Sequence, residues 1–210
     1  MKKVFLILIT IIISVLMILI GVGCKTATSV QPVVPEFIGG DFELSLPEKW
    51  EGGTKEELDS VIEKLEEVDQ TQLADIVEAN KFFLVFFGYD TEMAALGGDV
   101  NVFTITGESK VFLSLEDYMD LSYENVVEKY EEAGYIFNIV EQEIVMLGDN
   151  EEVGRIVFEQ TIEDNETKVA QYIINHESDF WILTFTVDME QFDDNIQNFD
   201  KTIETFKILD

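Results

Sequence analysis

The chain is poor in several residue types that define particular kinds of protein. Its 210 residues include one Cys, one His and three Pro, and only 13 Lys and Arg against 43 Asp and Glu. A single Cys excludes an internal disulfide, and one Cys with one His cannot build a zinc site from His and Cys ligands. The net charge of −30 has the wrong sign for holding nucleic acid through its phosphates.

Apolar residues, in contrast, are plentiful. The sequence is 47% hydrophobic and 11% aromatic. That content is too high for a disordered acidic tail and predicts a packed domain. The length suits one domain with an appendage.

The appendage is the N-terminus. Lys2 and Lys3 precede an apolar run from Val4 to Gly23, the order of a secretory signal. The run also reaches the roughly 20 residues that span a bilayer, so an uncleaved membrane anchor is the alternative. In both cases the basic end stays inside and the acidic remainder lies outside the cell membrane.

The end of the apolar run, Gly21-Val22-Gly23-Cys24, resembles the lipobox of prokaryotic lipoproteins. The resemblance implies that the Cys24 thiol carries a diacylglyceryl group and that the signal is cut before it. Gly23 fits that pattern, whereas Gly21 departs from it because a Leu is usual there. Loss of residues 1–23 would remove two lysines and no acid, leaving a charge of −32.

Three segments are therefore predicted. Residues 1–23 form the signal peptide or membrane anchor, and residues 24–40 form the lipidated Cys and a flexible linker with two prolines and Gly39-Gly40. Residues 41–210 form the globular domain.

Within the domain, hydrophobic periodicity predicts a run of strands and helices. The capping-box pair Thr54 and Glu57 starts one helix, which breaks near Asp69, and Ser114 with Asp117 starts the second. A dense apolar run at Phe82–Phe87 predicts a central strand buried on both faces. The other predicted strands are Phe42–Leu46, Asp99–Thr106, Tyr135–Met146, Val153–Ile162, Lys168–Asn175 and Phe180–Val187, and the last helix is Phe192–Phe206.

The last four strands are joined by short polar turns, which requires antiparallel neighbours because a parallel crossover needs a dozen or more residues. Strands grouped together with helices set apart predict an α+β fold, in which helices cover an antiparallel β-sheet.

Both ends of the predicted domain resemble PsbP-like domains. The start, Phe42-Glu43-Leu44-Ser45-Leu46-Pro47-Glu48-Lys49-Trp50, is similar to the start of that family, and Phe180–Phe185 with the tail Thr205-Phe206-Lys207 is similar to its close. Ser114–Tyr118 matches the start of its middle helix. The resemblance implies an α/β/α sandwich. The family includes a photosystem II subunit, a Ran-binding import factor and many prokaryotic lipoproteins, and it offers no shared catalytic residues to transfer.

Candidate chemistry is sparse. His176, the only imidazole, could pair with Ser178 and a carboxylate in a hydrolase triad, but the Gly-x-Ser-x-Gly motif is absent and a polar turn residue is favoured. Arg155, the only arginine, could hold a ligand carboxylate, although an internal ion pair is favoured. The acidic runs at 149–152 and 193–194 do not fit the Ca²⁺-loop pattern. Asn165-Glu166-Thr167 is a glycosylation sequon, usable in an archaeon.

The sequence therefore predicts a membrane-anchored, extracytoplasmic lipoprotein that acts as a noncatalytic binding or assembly module. Its acidity favours a cationic protein or a cation as partner and excludes nucleic acid. No cofactor, metal site or catalytic residue is predicted. The alternative is a cell-surface hydrolase that uses a carboxylate pair with a raised pKa. High acidity would also aid solubility in a saline habitat.

Overall fold

The computed structural model describes residues 42–110, 113–147, 151–162 and 165–209. The described residues include five α-helices and nine strands. The helices are α1 Leu58–Glu67, α2 Thr71–Asn80, α3 Thr91–Leu96, α4 Leu115–Ala133 and α5 Phe192–Thr205. The strands are β1 Phe42–Glu43, β2 Trp50–Thr54, β3 Phe86–Asp90, β4 Val102–Ser109, β5 Ile136–Leu147, β6 Glu151–Ile162, β7 Asn165–His176, β8 Asp179–Asp188 and β9 Lys207–Ile208.

Seven of the strands form one antiparallel sheet in the order β2-β3-β4-β8-β7-β6-β5. Strands β5 to β8 follow one another along the chain and in the sheet, which confirms the predicted meander. Strands β1 and β9 pair separately, with Phe42 opposite Ile208. The sheet therefore has β2 at one edge and β5 at the other.

Helix α5 covers one face of the sheet. Its periodic apolar residues, predicted from spacings of three and four, place Phe192, Phe199 and Ile203 in the core. Phe199 stacks on Phe185 of β8 at a centroid distance of 4.1 Å, and Phe185 stacks on Phe103 of β4 at 4.2 Å. This aromatic stack joins the helix to the centre of the sheet.

Helices α1, α2 and α4 cover the opposite face. Helix α4 begins as predicted, because the Ser114 hydroxyl accepts a hydrogen bond from the Asp117 backbone N–H at 3.1 Å. Its first turns approach β6 closely at Gly154, where an added Cβ would lie 2.5 Å from the Met119 sulfur. Helices on both faces of an antiparallel sheet make an α/β/α sandwich, which confirms the predicted α+β fold.

The structure corrects the prediction at Phe82–Phe87. Strand β3 begins only at Phe86 and is next to the edge strand, so it is not central. Phe82 lies in the turn after α2 and is 63% exposed, so it does not belong to the core. The backbone turns back at this point, where the Phe83 N–H donates to the Asn80 carbonyl, and this keeps the start of the apolar run out of the sheet.

Three smaller differences concern element bounds. Residues Trp50–Thr54 form strand β2, which was not predicted and which includes Gly52, where an added Cβ would lie 2.5 Å from the Phe87 carbonyl oxygen. The first strand is only two residues long, and α3 was not predicted. The predicted helix break is confirmed at Asp69, which has a positive φ between α1 and α2.

In the described ranges, we find no helix with the length and apolar character needed to cross a membrane. The apolar run Val4–Gly23 and the linker lie outside these ranges.

Candidate functional site

An open groove of about 710 Å³ lies where the two ends of the described domain meet. Its apolar lining includes Phe42, Leu44 and Phe86, and its charged lining includes Glu204 and Lys207. The Phe42 ring contacts the rings of Phe86, Trp181 and Phe206 at centroid distances of 5.7–6.0 Å. The groove therefore results from the packing that closes the domain. Two of the segments that resemble PsbP-like domains meet in it, the start at Phe42–Leu46 and the tail at Thr205 and Lys207.

A charged cluster lies on the α5 side of the sheet, beside β5. Arg155 Nη2 of β6 is 2.6 Å from Glu141 Oε1 of β5, and Nη1 is 3.6 Å from Asp200 Oδ1 of α5. The Tyr172 hydroxyl of β7 donates to Asp200 Oδ1 at 2.7 Å. Glu143 lies opposite Arg155 in the β5–β6 register. Three acids thus surround one guanidinium, which confirms that Arg155 forms an internal ion pair.

This cluster perturbs its own titration. Burial raises the pKa of Glu141, Arg155 opposes that rise, and a hydrogen bond with Glu143 adds to it. Burial also raises the pKa of Tyr172, and Asp200 raises it further. Because the acids outnumber the one guanidinium, the cluster has an excess of acidic groups at the edge of the sheet.

A second perturbed acid lies under α4. Glu108, at the end of β4, is 7% exposed, and its Oε2 accepts a hydrogen bond from the Tyr118 hydroxyl at 2.9 Å. Among the described residues, its Oε1 is buried without a hydrogen-bond partner. Burial raises the pKa of Glu108 to about 8, against a smaller opposing effect of Tyr118. Burial and Tyr118 are the causes of the shift, and among the described residues no second acid contributes to it. A single protonated carboxyl next to a tyrosine does not form the pair that glycoside hydrolysis requires.

The outer edge of β5 is a third feature. Nine large hydrophobic residues of the described chain are exposed, and four of them lie on this one strand. They are Ile136, Val140, Ile144 and Met146, exposed by 66, 49, 45 and 56%. We call the unpaired outer side of Ile136–Leu147 the β5 edge. Ile144 and Met146 are exposed on one face of the strand, whereas Ile136 lies on the other face and Val140 in a bulge. Exposed apolar side chains beside an open strand edge are typical of a binding site.

The other predicted residues lie apart from one another. Asn165 begins β7 and is half-buried, while the sequon hydroxyl of Thr167 is buried and accepts a hydrogen bond from Gln160 at 2.9 Å. His176 ends β7. The Ser178 hydroxyl donates to Asp179 Oδ2 at 3.1 Å and not to the imidazole, so no triad forms there. Cys24 lies outside the described residues, and both lipidation at Cys24 and glycosylation at Asn165 stay predictions.

Within the described residues we find no group of three or more His, Cys, Asp or Glu placed to bind a metal. Residues 149 and 150 of the first acidic run lie outside the described residues. Asp193 and Asp194 are exposed in the first turn of α5. There they complement the positive end of the helix dipole.

Sequence reasoning missed Glu108 and the cluster around Glu141. Glu108 lies beyond the predicted end of its strand, but it continues the alternation of Thr104 and Thr106, which lie on the face that α1, α2 and α4 cover. This alternation is the feature of the sequence that could have predicted which face Glu108 lies on. The Glu141 cluster depends on strand register and on α5, which one strand alone does not disclose.

No family model matches the chain, and no curated protein matches it. Among solved structures, the chain is similar to the solution structure of cyanobacterial PsbP (CyanoP) from Synechocystis sp. PCC 6803, with a TM-score of 0.52 and 9% identity over 88% of this chain and 98% of that one. It also aligns with LpqN, a protein involved in cell envelope biogenesis of Mycobacterium tuberculosis, with a TM-score of 0.49 and 9% identity over 81% and 86% of the two chains. The likeness to the cyanobacterial structure shows a PsbP-like fold.

Proposed function

We propose that this chain is a noncatalytic binding or assembly module, attached through Cys24 to the outer face of a prokaryotic cell membrane. The observation that carries the binding function is the β5 edge, an apolar strand surface next to an excess of carboxylates. Such a surface offers area and charge to a partner, whereas catalysis would need converging reactive groups in a cleft.

The attachment is supported by the order of segments in the sequence. A basic start, an apolar run, Cys24 and a polar linker precede the domain. A diacylglyceryl group provides two chains, which is enough for stable attachment to a membrane. The linker would then hold the acidic domain away from anionic headgroups, which repel it.

Metabolic labelling tests the attachment. Cells expressing the wild type and Cys24→Ala are fed a radioactive fatty acid, and the protein is recovered through a C-terminal tag. We expect label in the wild type alone, and a recovered wild-type chain whose mass lacks residues 1–23, because the signal is cut only after Cys24 is lipidated. Cys24→Ala should keep residues 1–23 and stay in the membrane fraction through them. Equal labelling of both chains contradicts lipidation at Cys24, and an unlabelled wild type that keeps residues 1–23 indicates the uncleaved anchor.

Crosslinking on intact cells tests the binding function. The proposal expects specific partners to be recovered with the full chain and to be lost at high salt, since opposite charges steer the association. A matched chain that ends before residue 41 controls for capture by the anchor. Equal recovery by both chains, or none by the full chain, contradicts a binding domain.

A carboxylate hydrolase remains the second candidate because the structure brings one acid pair together. Glu141 and Glu143 are joined by a hydrogen bond, and the pKa of Glu141 is raised. Glycosidases keep their carboxyl groups about 5 Å or 6.5–9.5 Å apart, which leaves room for the sugar or a water. The two glutamates are in direct contact, and Glu141 also forms an ion pair with Arg155. Both features disfavour this function. Sugar release that disappears in Glu143→Gln would establish it.

A further inference from the structure

We propose that an extended, basic segment of a partner protein adds to β5 as an eighth strand of the sheet. The proposal rests on the binding function proposed above and names its surface and the chemistry of its partner. An edge strand has a row of backbone N–H and C=O groups that can pair with a further strand.

The two edges of the sheet differ in a way that selects β5. Strand β2 has five residues and includes two glycines, and a short edge strand is a common protection against unwanted pairing. Strand β5 has twelve residues, and in the described part of the chain no strand lies on its outer side. A bulge at Val140 interrupts its pairing with β6, after which residues 141–147 run in regular register. Seven regular residues are enough for a typical strand pair.

The two faces of this regular segment have different chemistry. Ile144 lies opposite Gly154, the residue that faces α4, so Ile144 and Met146 are exposed on the α4 side. Glu141 and Glu143 lie on the α5 side, where Glu143 is opposite Arg155 and Glu141 is paired with it, and the half-buried Val145 and Leu147 follow on the same side. Side chains alternate between faces along any strand that pairs here. A complementary strand therefore has Lys or Arg at the two alternate positions opposite Glu141 and Glu143, and apolar residues elsewhere.

A second copy of this chain is a poorer occupant. An antiparallel pairing of two β5 strands centred on Ile144, the middle of residues 141–147, would place Glu143 of each copy opposite Val145 of the other and so would bring it no cation. The net charge of −30 on each copy adds a longer-range repulsion between two copies. A cationic strand, in contrast, would be attracted by the same acids.

Binding of synthetic peptides to the detergent-solubilised full chain tests the proposal. The probe is an eight-residue peptide with two Lys at alternate positions near one end and Val, Ile or Thr elsewhere (the alternating peptide). The first comparison peptide has the same composition with its two lysines adjacent, so that they face opposite sides of a strand (the block peptide), and the second has Glu in place of Lys. We expect the alternating basic peptide to bind at least about tenfold more tightly than the block peptide, because only its side chains match both faces at once. The acidic peptide should not bind.

Variants place the contact on the strand. The double variant Ile144→Lys with Met146→Lys should weaken binding of the alternating peptide by about tenfold or more, since it replaces two apolar contacts with repelling charges. The matched control adds two lysines at exposed apolar residues elsewhere, Phe82→Lys with Leu96→Lys, and should bind as the wild type does. Glu143→Lys changes one exposed residue and should also weaken binding of the alternating peptide. It tests the same contact if the double variant does not fold. Peptide binding should also slow amide exchange in residues 141–147.

Other results overturn the proposal. Equal binding of the alternating and block peptides, or equal loss in both double variants, indicates nonspecific charge attraction and leaves the proposed binding function standing. If the wild type self-associates and the double variant Ile144→Lys with Met146→Lys does not, the edge binds a second copy of the chain. If no peptide binds but the cell-surface crosslinks persist, the strand addition fails alone; if the crosslinks are also absent, the binding function fails with it.

Discussion

The hydroxyl of Tyr118 donates a hydrogen bond to Glu108 across the interface between α4 and the sheet, at 2.9 Å. Both side chains are buried, and Tyr118 also packs on Phe180 with a centroid distance of 4.2 Å. The carboxyl is therefore fixed in an apolar layer, and its charged form is disfavoured because it loses hydration.

The first prediction concerns stability against pH. The pKa of Glu108 is about 8 in the folded chain, above its ordinary value of 4.5. Between these values the folded state binds the proton and the unfolded state does not, so stability falls as pH rises through this window. We expect the wild type to lose stability relative to Glu108→Gln with a slope that approaches about 1.4 kcal/mol per pH unit. Urea denaturation from pH 4 to 9 measures the difference.

The comparison needs a control because the chain has many acids. Glu63→Gln removes an exposed carboxyl of the same type and should give a profile parallel to that of the wild type. Tyr118→Phe removes the hydrogen bond that lowers the pKa of Glu108, so its loss of stability should begin at the same pH as in the wild type but continue to a higher pH. Parallel profiles for the wild type and Glu108→Gln would contradict a buried, protonated Glu108.

The second prediction concerns Arg155. Its side chain is 19% exposed, and its partners Glu141 and Asp200 are 35 and 29% exposed. Arg155→Met leaves both carboxylates without their cation and should cost about 1–3 kcal/mol of unfolding free energy, below the cost for a fully buried pair because water still screens these groups. Chemical denaturation measures the loss.

A matched ion pair on the surface provides the control for this variant. Lys64 pairs with Glu51 at 2.9 Å, and both side chains are more than half exposed. Lys64→Met should therefore change stability by less than about 1 kcal/mol. Combining Arg155→Met with Glu141→Gln should cost less than the sum of the two single changes. Strict additivity would mean that the ion pair does not couple β5 to β6.

The sequence predicted the parts of the fold whose signals are local. The period of α5 and the four-strand meander could be seen because polar residues interrupt the apolar ones at regular spacings. Strand β3 was misplaced because Phe82–Phe87 is apolar throughout, so the pattern does not show which residues are buried. The pairing of β4 with β8 joins residues about 80 positions apart, and no local pattern specifies it.

The candidate surface was less predictable for the same reason. Arg155 was expected to find an acid, but the choice of Glu141 and Asp200 depends on the register of β5 on β6 and on the position of α5. Strand β5 itself was predicted, whereas its place at the edge, which exposes Ile144 and Met146, follows only from the complete strand order.

The third prediction tests the close approach of α4 to the sheet. A Cβ at Gly154 would meet the Met119 sulfur at 2.5 Å and Leu115 Cδ1 at 3.2 Å. Gly154→Ala should therefore destabilise the domain by about 1–3 kcal/mol through overpacking. Met119→Ala removes a buried side chain and is costly by itself, but the two changes combined should cost less than the sum of the single changes. Gly98→Ala, where an added Cβ meets nothing within 4 Å, is the control. Strict additivity would show that Met119 is not the obstacle.

The fourth prediction concerns the contact that fixes α5 to the sheet. Phe199 is fully buried, stacks on Phe185 at 4.1 Å and meets the edge of Trp50 at 6.1 Å. Phe199→Ala removes this ring from a packed core and should cost about 3–5 kcal/mol, a large share of the 5–15 kcal/mol typical of a domain. Phe82→Ala, at an exposed ring in a turn, should stay within about 0.5 kcal/mol of the wild type.

The same variant tests whether α5 organises the groove at the end of the domain. Helix α5 leads directly to Thr205, whose hydroxyl accepts a hydrogen bond from the Ser45 backbone N–H at 2.8 Å, and to Phe206, which packs on Phe42. If the Phe199 stack holds the helix in place, then amide exchange at Ser45 should accelerate in Phe199→Ala under conditions where the remaining sheet stays protected. Exchange at Ser45 that follows global unfolding alone would mean that β1 and β9 are held by their own contacts and do not depend on the helix.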